Sequence, residues 1–206
     1  MKKYTFVIDV DRCIGCKGCQ VSCKQENGVA LGACRNAVKT VGPMGVYPNV
    51  QMYFLPSPCQ HCDEPSCVEV CPTGACYKDP EDGVVRIDRN VCIGCKSCAE
   101  ACPYKVNTFN QELQVMDKCN LCAQLREVGE EPACVKNCCG HALHFGDIND
   151  PESEVSKLLK EAGEEHVHTL RDLGNAPGVR YILRRGEWVD VLPQDCEETK
   201  RGRKGC

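Results

Sequence analysis

Four tight groups of cysteines constrain this chain more than any other feature. They are Cys13, Cys16, Cys19 and Cys23; Cys59, Cys62, Cys67 and Cys71; Cys92, Cys95, Cys98 and Cys102; and Cys119, Cys122, Cys134 and Cys138. The first and third groups both read C-x2-C-x2-C-x3-C. The second widens one gap to four residues and the fourth widens one to eleven. Cysteines this close make poor disulfide partners but suit a metal centre. The total of 21 in 206 residues is a density that flags a disulfide scaffold in a short secreted chain. The odd count and the bunching argue against that reading.

The run C-x2-C-x2-C-x3-C-P is the bacterial iron–sulfur signature, in which the fourth cysteine serves the neighbouring cluster of a pair. Three thiolates two residues apart wrap a loop around one cubane. Gly15, Gly18 and Gly94 let the backbone come close and aim N–H groups at the inorganic sulfides. The x3 spacing puts the third and fourth cysteines about one helical turn apart. Sixteen thiolates match four 4Fe–4S clusters at four ligands each. Zinc also uses C-x-x-C, but it does not explain C-x2-C-x2-C; it stays open only for the wider fourth group.

The first and third groups form an internal repeat: Val10 to Lys17 against Arg89 to Lys96. Each follows a strand-like run, Tyr4 to Val10 and Val84 to Asp88. Short helices are expected at Gln20 to Gln25 and Ala99 to Cys102, with Pro72 and Pro103 ending local helix. Residues 24–58 read as a loop-rich insertion containing Gly42-Pro43 and Pro56-Ser57-Pro58, with a strand at Val50 to Leu55. Beyond about Asp150 the cysteine pattern stops. Glu152 to Ala162 reads as an amphipathic helix with Val155, Leu158 and Leu159 on one face. Gly178 to Leu183 reads as a strand, and Lys200 to Lys204 as a basic, mobile tail. The expected class is α+β: tandem bacterial ferredoxin-like 4Fe–4S modules with a loop-rich insertion and a C-terminal tail. The expected division is a four-cluster domain over 1–148 and a C-terminal extension over 149–206 that docks a partner.

A net charge of −4 excludes the basic footprint of a nucleic-acid binder. No stretch is apolar enough to span a membrane, and neither a signal-peptide core nor a twin arginine stands near the start. No nucleophile–base pair, phosphate loop or nucleotide fingerprint is visible, so electron relay by clusters is the expected chemistry. Aromatic residues make up only 5% of the chain. A thin apolar core makes metal binding part of the folding free energy, and the apo chain is expected to be largely unfolded.

The group order, together with the segments Cys59 to Ala75, Asp82 to Cys95 and Asp117 to Cys122, resembles the iron–sulfur subunits of the dimethyl sulfoxide reductase and polysulfide reductase-type molybdopterin oxidoreductases. Asn175 to Tyr181 resembles the family more loosely. The resemblance implies an electron-transfer subunit that is not itself an enzyme. Its clusters would pass electrons between a quinol-linked or other donor and a molybdopterin subunit holding molybdenum or tungsten. An integral membrane anchor is an optional further partner of such a complex, in the membrane or the cytoplasm, and export with a twin-arginine-bearing partner fits the missing leader. The resemblance also implies the ligand sets: Cys13, Cys16 and Cys19 with Cys138; Cys119, Cys122 and Cys134 with Cys23; Cys59, Cys62 and Cys67 with Cys102; and Cys92, Cys95 and Cys98 with Cys71. Relatives with tryptophan at the position of Cys98 carry a 3Fe–4S centre, so Cys98 implies a full cubane. Cys139 stands where relatives have proline, so either Cys138 or Cys139 is available as ligand; the helical spacing from Cys134 favours Cys138. A free-standing polyferredoxin, or a subunit of a hydrogenase or formate dehydrogenase complex, is the alternative.

The remaining cysteines, Cys34, Cys76, Cys139, Cys196 and Cys206, read as free thiols. His61 could tune a potential by charge or hydrogen bonding, or be merely a polar neighbour of the ligands. Ile14, Ile93 and Leu121 are expected to keep water from the cubanes, and Trp188 to pack in the tail.

Overall fold

The computed structural model describes residues 2–196; the basic stretch 200–204 and Cys206 lie outside the described residues. In chain order the elements are β1 (Tyr4–Asp9), α1 (Gly18–Asn27), β2 (Asn36–Val46), β3 (Asn49–Pro58), α2 (Ser66–Glu69), β4 (Cys76–Lys78), β5 (Val85–Ile87), α3 (Ser97–Ala101), β6 (Thr108–Asn110), β7 (Val115–Asp117), α4 (Ala123–Glu127), α5 (Ala133–Lys136), β8 (Leu143–Asp147), α6 (Glu154–Ala162), β9 (Val167–His168) and β10 (Arg180–Ile182).

One four-stranded sheet has the order β8-β1-β10-β9, and three two-stranded pieces join β2 to β3, β4 to β5 and β6 to β7. The β1 sequence is rich in aromatic and β-branched residues, which suit a pleated surface. Residues 5–9 are all buried, so both faces of the strand are covered and little alternation is left to see. β1 pairs antiparallel with β8 and parallel with β10, with Val7 opposite Arg180 and Ile8 opposite Tyr181. A boundary at 148/149 therefore runs between strands of a single sheet. α6 covers one face of it. Ser153 caps the helix by accepting from the Ser156 N–H at 3.2 Å. Val155 and Ala162 bury against Val7 and Ile182. Each fully buried aliphatic side chain there contributes about 2 kcal/mol.

The insertion differs from its expected form. It is dominated by the β2–β3 hairpin, which runs from the Asn36–Pro58 pair to the Val46–Asn49 pair. The register shifts between Val41 and Met44, and this irregularity absorbs Gly42-Pro43. The turn signals that suggested loop are thus housed in a bulge and at the hairpin end. Phe54 on β3 lies against the loop of the first cysteine group: a Cβ on Gly15 would stand 2.6 Å from its ring.

The core mixes ordinary apolar side chains with cysteines. Phe6, Ile8, Leu55, Leu121, Leu170 and Tyr181 share one buried cluster with Cys19, Cys59, Cys62, Cys102, Cys119 and Cys134.

Candidate metal centres

The four cysteine groups share one backbone device. The second residue after the first cysteine is left-handed in each: Gly15 at φ +67°, His61 at +43°, Gly94 at +66° and Leu121 at +54°. This reversal turns successive N–H groups to the inside of the loop, the arrangement that binds anions. In the two repeats a second left-handed residue, Lys17 or Lys96, then starts α1 or α3. Backbone N–H groups reach sulfur directly: Met116 donates to Cys92 Sγ at 3.4 Å, Cys76 to Cys71 Sγ at 3.3 Å and Ala142 to Cys138 Sγ at 3.2 Å.

Cysteines remote in sequence meet in space. Cys13, Cys16, Cys19 and Cys138 line one cavity. Cys59, Cys62, Cys67 and Cys102 line a second. Cys71, Cys92, Cys95 and Cys98 line a third. The three are nearly equal in size, each with about 20 Å³ of open space. The last foursome comes together around Cys134, which lies within electrostatic range of Cys119, Cys23 and Cys122. The groupings follow the short helices: α1 carries Cys19 into one set and Cys23 into the next. A set of four thiols around a small cavity fits a cubane with one cysteine per iron. Among the described residues, no three cysteine, histidine or carboxylate side chains converge tightly enough to hold a single ion.

The sets form a row. Cys134 is also in range of Cys19 of the first set. Cys119, in the same set as Cys134, is in range of Cys59. Cys98 is in range of Cys67. The row is thus Cys13/16/19/138, then Cys23/119/122/134, then Cys59/62/67/102, then Cys71/92/95/98. Its ends are open and its middle is closed. Cys16 and Cys95, one in each terminal set, are exposed, whereas all the thiols of the inner sets are buried except half-buried Cys67.

Burial raises the pKa of several of these thiols. It pushes Cys19 and Cys119 up to about 12 and Cys23 and Cys98 up to about 11, and neighbouring thiolates add to the rise. Loading with metal must therefore expel protons. Cys67 moves the other way, lowered to about 7 by its contact with the Cys76 thiol.

Several expectations need correction. Ile14 and Ile93 line the cavities of the first and fourth sets but are 63% and 65% exposed, so they cover them only in part; of the three, Leu121 alone is fully buried. His61 cannot tune by charge near neutral pH. Burial, then Lys118, Arg126, Arg86 and Lys78, hold it neutral well below its usual range, and its Nδ1 accepts from the Val85 N–H at 3.1 Å. Cys34 is disulfide-bonded, not free. Cys139 stands 3.5 Å from Cys16 Sγ, while Cys138 is the one that lines the cavity. Trp188 stacks on His168 at 4.9 Å and on Tyr53 at 6.1 Å, so it packs as expected.

Three features escaped the sequence reading. Lys118 is buried beside Cys119; its one signal is a lysine wedged between Asp117 and a ligand cysteine. Arg35 and Asp117 form a buried ion pair with no sequence signal, because 82 residues separate them. Cys76, buried at 2%, lines the fourth set's cavity.

Residues 50–148 match the 4Fe-4S dicluster domain family. The chain is 38% identical over 216 residues to a subunit of the sulfite dehydrogenase of Allochromatium vinosum, covering 95% of this chain and 89% of that protein. It is 41% identical over 182 residues to a subunit of the tetrathionate reductase of Salmonella typhimurium, covering 87% and 72%. It is 43% identical over 187 residues to the thiosulfate reductase electron transfer subunit PhsB of Salmonella typhi, covering 90% and 93%. Such likeness along nearly the whole chain, on a scaffold that gathers its cysteines in fours, identifies a non-catalytic 4Fe–4S electron-transfer subunit: the chain belongs to the iron–sulfur subunits of the dimethyl sulfoxide reductase and polysulfide reductase type.

Proposed function

We propose that the chain relays electrons through four 4Fe–4S clusters, between a quinol-linked or other redox partner and a molybdopterin catalytic subunit holding molybdenum or tungsten. The observation that carries this reading is the row of four thiol sets, closed in the middle and open at both ends. Cys13, Cys16, Cys19 and Cys138 would hold the first cluster. Cys119, Cys122, Cys134 and Cys23 would hold the second. Cys59, Cys62, Cys67 and Cys102 would hold the third, and Cys92, Cys95, Cys98 and Cys71 the fourth. Bound clusters supply one-electron iron chemistry whose potential depends on hydrogen bonds to sulfur and on solvent exposure.

The protein's own part is to hold, separate and shield. The left-handed residues turn backbone N–H groups toward the thiolates. Leu121 and Tyr104, both buried, keep water from the inner sets. The exposed Ile14 and Ile93 flank the terminal sets and offer apolar surface where partners would approach. The relatives are named as subunits of reductases and dehydrogenases, which favours a complex with a larger catalytic chain. Among the described residues no helix is long and apolar enough to cross a membrane.

The test is metal and sulfide analysis of the anaerobically purified native protein with whatever co-purifies. About sixteen irons and sixteen sulfides per chain, with molybdenum or tungsten in a larger partner, is the expected result. Fewer irons would remove at least one cluster from the row. Full iron with no second metal and no partner would point instead to a free carrier.

A further inference from the structure

The middle junction of the row is built differently from the two outer ones. At the outer junctions a short helix delivers neighbouring cysteines to adjacent sets. α1 does so with Cys19 and Cys23, and α3 with Cys98 and its C-terminal Cys102. No helix plays this part between the second and third sets. Lys118 occupies that place. It is 3% exposed. Its Nζ donates to the Cys119 carbonyl at 3.0 Å and to the Val85 carbonyl. Among the described residues it forms no ion pair with a carboxylate. The thiols within electrostatic range of its ammonium include Cys59 and Cys67 of the third set, Cys119 of the second, and Cys76, and the neutral His61 imidazole is also in range. A buried ammonium without a counter-charge is strongly unfavourable, and such groups persist when something anionic balances them. The anions positioned to do so here are the thiolates on its two sides.

We propose that Lys118 is a fixed positive charge joining the two halves of the relay: its ammonium balances the negative charge of the second and third thiol sets and raises the reduction potentials of the clusters they hold. The inference rests on the four-cluster reading above. An added electron brings negative charge to either side of the ammonium, and the attraction favours the reduced form. The electron moves with no bond made or broken, and Lys118 keeps its proton throughout. Lys118 thus acts through the ligands as a positioning residue. Its two hydrogen bonds to carbonyls could equally be made by an uncharged amide, which makes the roles of charge and of hydrogen bonding separable.

The experiment compares wild type, Lys118→Gln and Lys118→Arg in the complex as purified. Iron is counted first. Each cluster's midpoint is then followed by electron paramagnetic resonance in a redox titration. Lys118→Gln should keep full iron and lower the potentials of two clusters by at least tenfold in the reduction equilibrium, which is about 59 mV for a one-electron couple. The other two should stay in place, and Lys118→Arg should stay near wild type throughout. Unchanged potentials in a fully loaded Lys118→Gln protein would overturn the inference, as would an equal shift in all four. If Lys118→Gln loses iron, Lys118→Met is the second neutral variant. Iron lost in both neutral variants but kept in Lys118→Arg would support a charge requirement. Loss in all three would mean that shape, not charge, matters, and the inference falls. Fewer than four clusters in wild type would instead overturn the four-cluster reading itself.

Discussion

Removing the Arg35 guanidinium should cost this protein about 3 kcal/mol, and the buried ion pair it forms explains why. Arg35 Nε and Nη2 donate to Asp117 Oδ2 and Oδ1 at 2.9 and 2.8 Å. Its Nη1 donates to Asn27 Oδ1 at 2.8 Å. The two side chains are only 4% and 10% exposed. This fork fastens the end of α1, the start of the hairpin and the end of β7 into one block beside the second thiol set. In Arg35→Met, Asp117 keeps a partner only in Arg89, 3.1 Å away and itself 46% exposed. Breaking a buried pair from one side costs roughly 3–5 kcal/mol. The surviving Arg89 contact places this case at the lower end. For a chain of this size each kcal/mol moves the midpoint by about 2–4 °C, so a drop of roughly 6–12 °C is expected. The assay is anaerobic thermal bleaching of the cluster absorbance at one scan rate, since unfolding that releases clusters is irreversible and reads as a rate. The double variant Arg35→Met/Asp117→Leu removes both charges and should recover most of the loss. A midpoint within about 2 °C of wild type for the single variant, or a double variant worse than the single, would refute the reasoning.

Other perturbations separate the parts of the site. Gly94→Ala should lose about four irons per chain, because φ is +66° and a Cβ would overlap the Gln114 carbonyl oxygen. Gly18→Ala should keep them all, since a Cβ there meets nothing closer than Cys16 Sγ at 3.5 Å; equal iron in the two variants would contradict this. Cys139→Ser should leave iron content and spectra intact while Cys138→Ser alters the first cluster, because Cys138 lines the cavity; the reverse pattern would make Cys139 the ligand. His61 gives a pH signature. Its folded pKa lies well below the ordinary 6.5, so below about pH 6.5 the unfolded state binds a proton that the folded state does not. Its contribution is unaffected above that pH, and stability falls by up to about 1.4 kcal/mol per unit as pH drops toward the folded pKa. His61→Gln should flatten that slope in anaerobic denaturant titrations, and a slope unchanged from wild type would argue against a neutral buried imidazole.

The iron–sulfur grammar was legible because it is local. Cys13 to Cys23 and Cys92 to Cys102 carry their loop, their helix and their spacing within eleven residues, and the structure places Cys13, Cys16 and Cys19 at one cavity and Cys92, Cys95 and Cys98 at another. β1, α6 and β10 were legible from apolar pattern alone. What escaped depends on distance or on context. β10 pairs parallel with β1 across more than 170 residues, a register that no local pattern encodes. The hairpin was hidden because glycine and proline, which usually punctuate loops, sit inside its strands at Gly42-Pro43 and Pro56 and are tolerated at a bulge and an edge. The exposure of Ile14 and Ile93 could not be foreseen, because an apolar residue in a cysteine loop can also be buried, as Leu121 is one position further along in the fourth group. Which side of a loop faces solvent is decided by what packs on it.

Leu121 also tests how much strain the loops store. It holds φ +54° at the position where the repeats use glycine. A left-handed non-glycine residue costs about 1–2 kcal/mol, and Leu121→Gly would relieve that. The same change removes a side chain with 0% exposure from the inner core, where loss of a buried leucine costs roughly 2–5 kcal/mol. The two effects oppose each other, and burial is the larger. Leu121→Gly should therefore lower stability by about 2 kcal/mol in anaerobic denaturant titrations and admit water to the second and third sets, seen as faster bleaching by a water-soluble chelator. A stabilised variant would mean that backbone strain, and not shielding, dominates at this position. The first and third groups already have glycine there, at φ +67° and +66°. At the two ends of the row the loop is relaxed and open, and in the middle it is strained and dry.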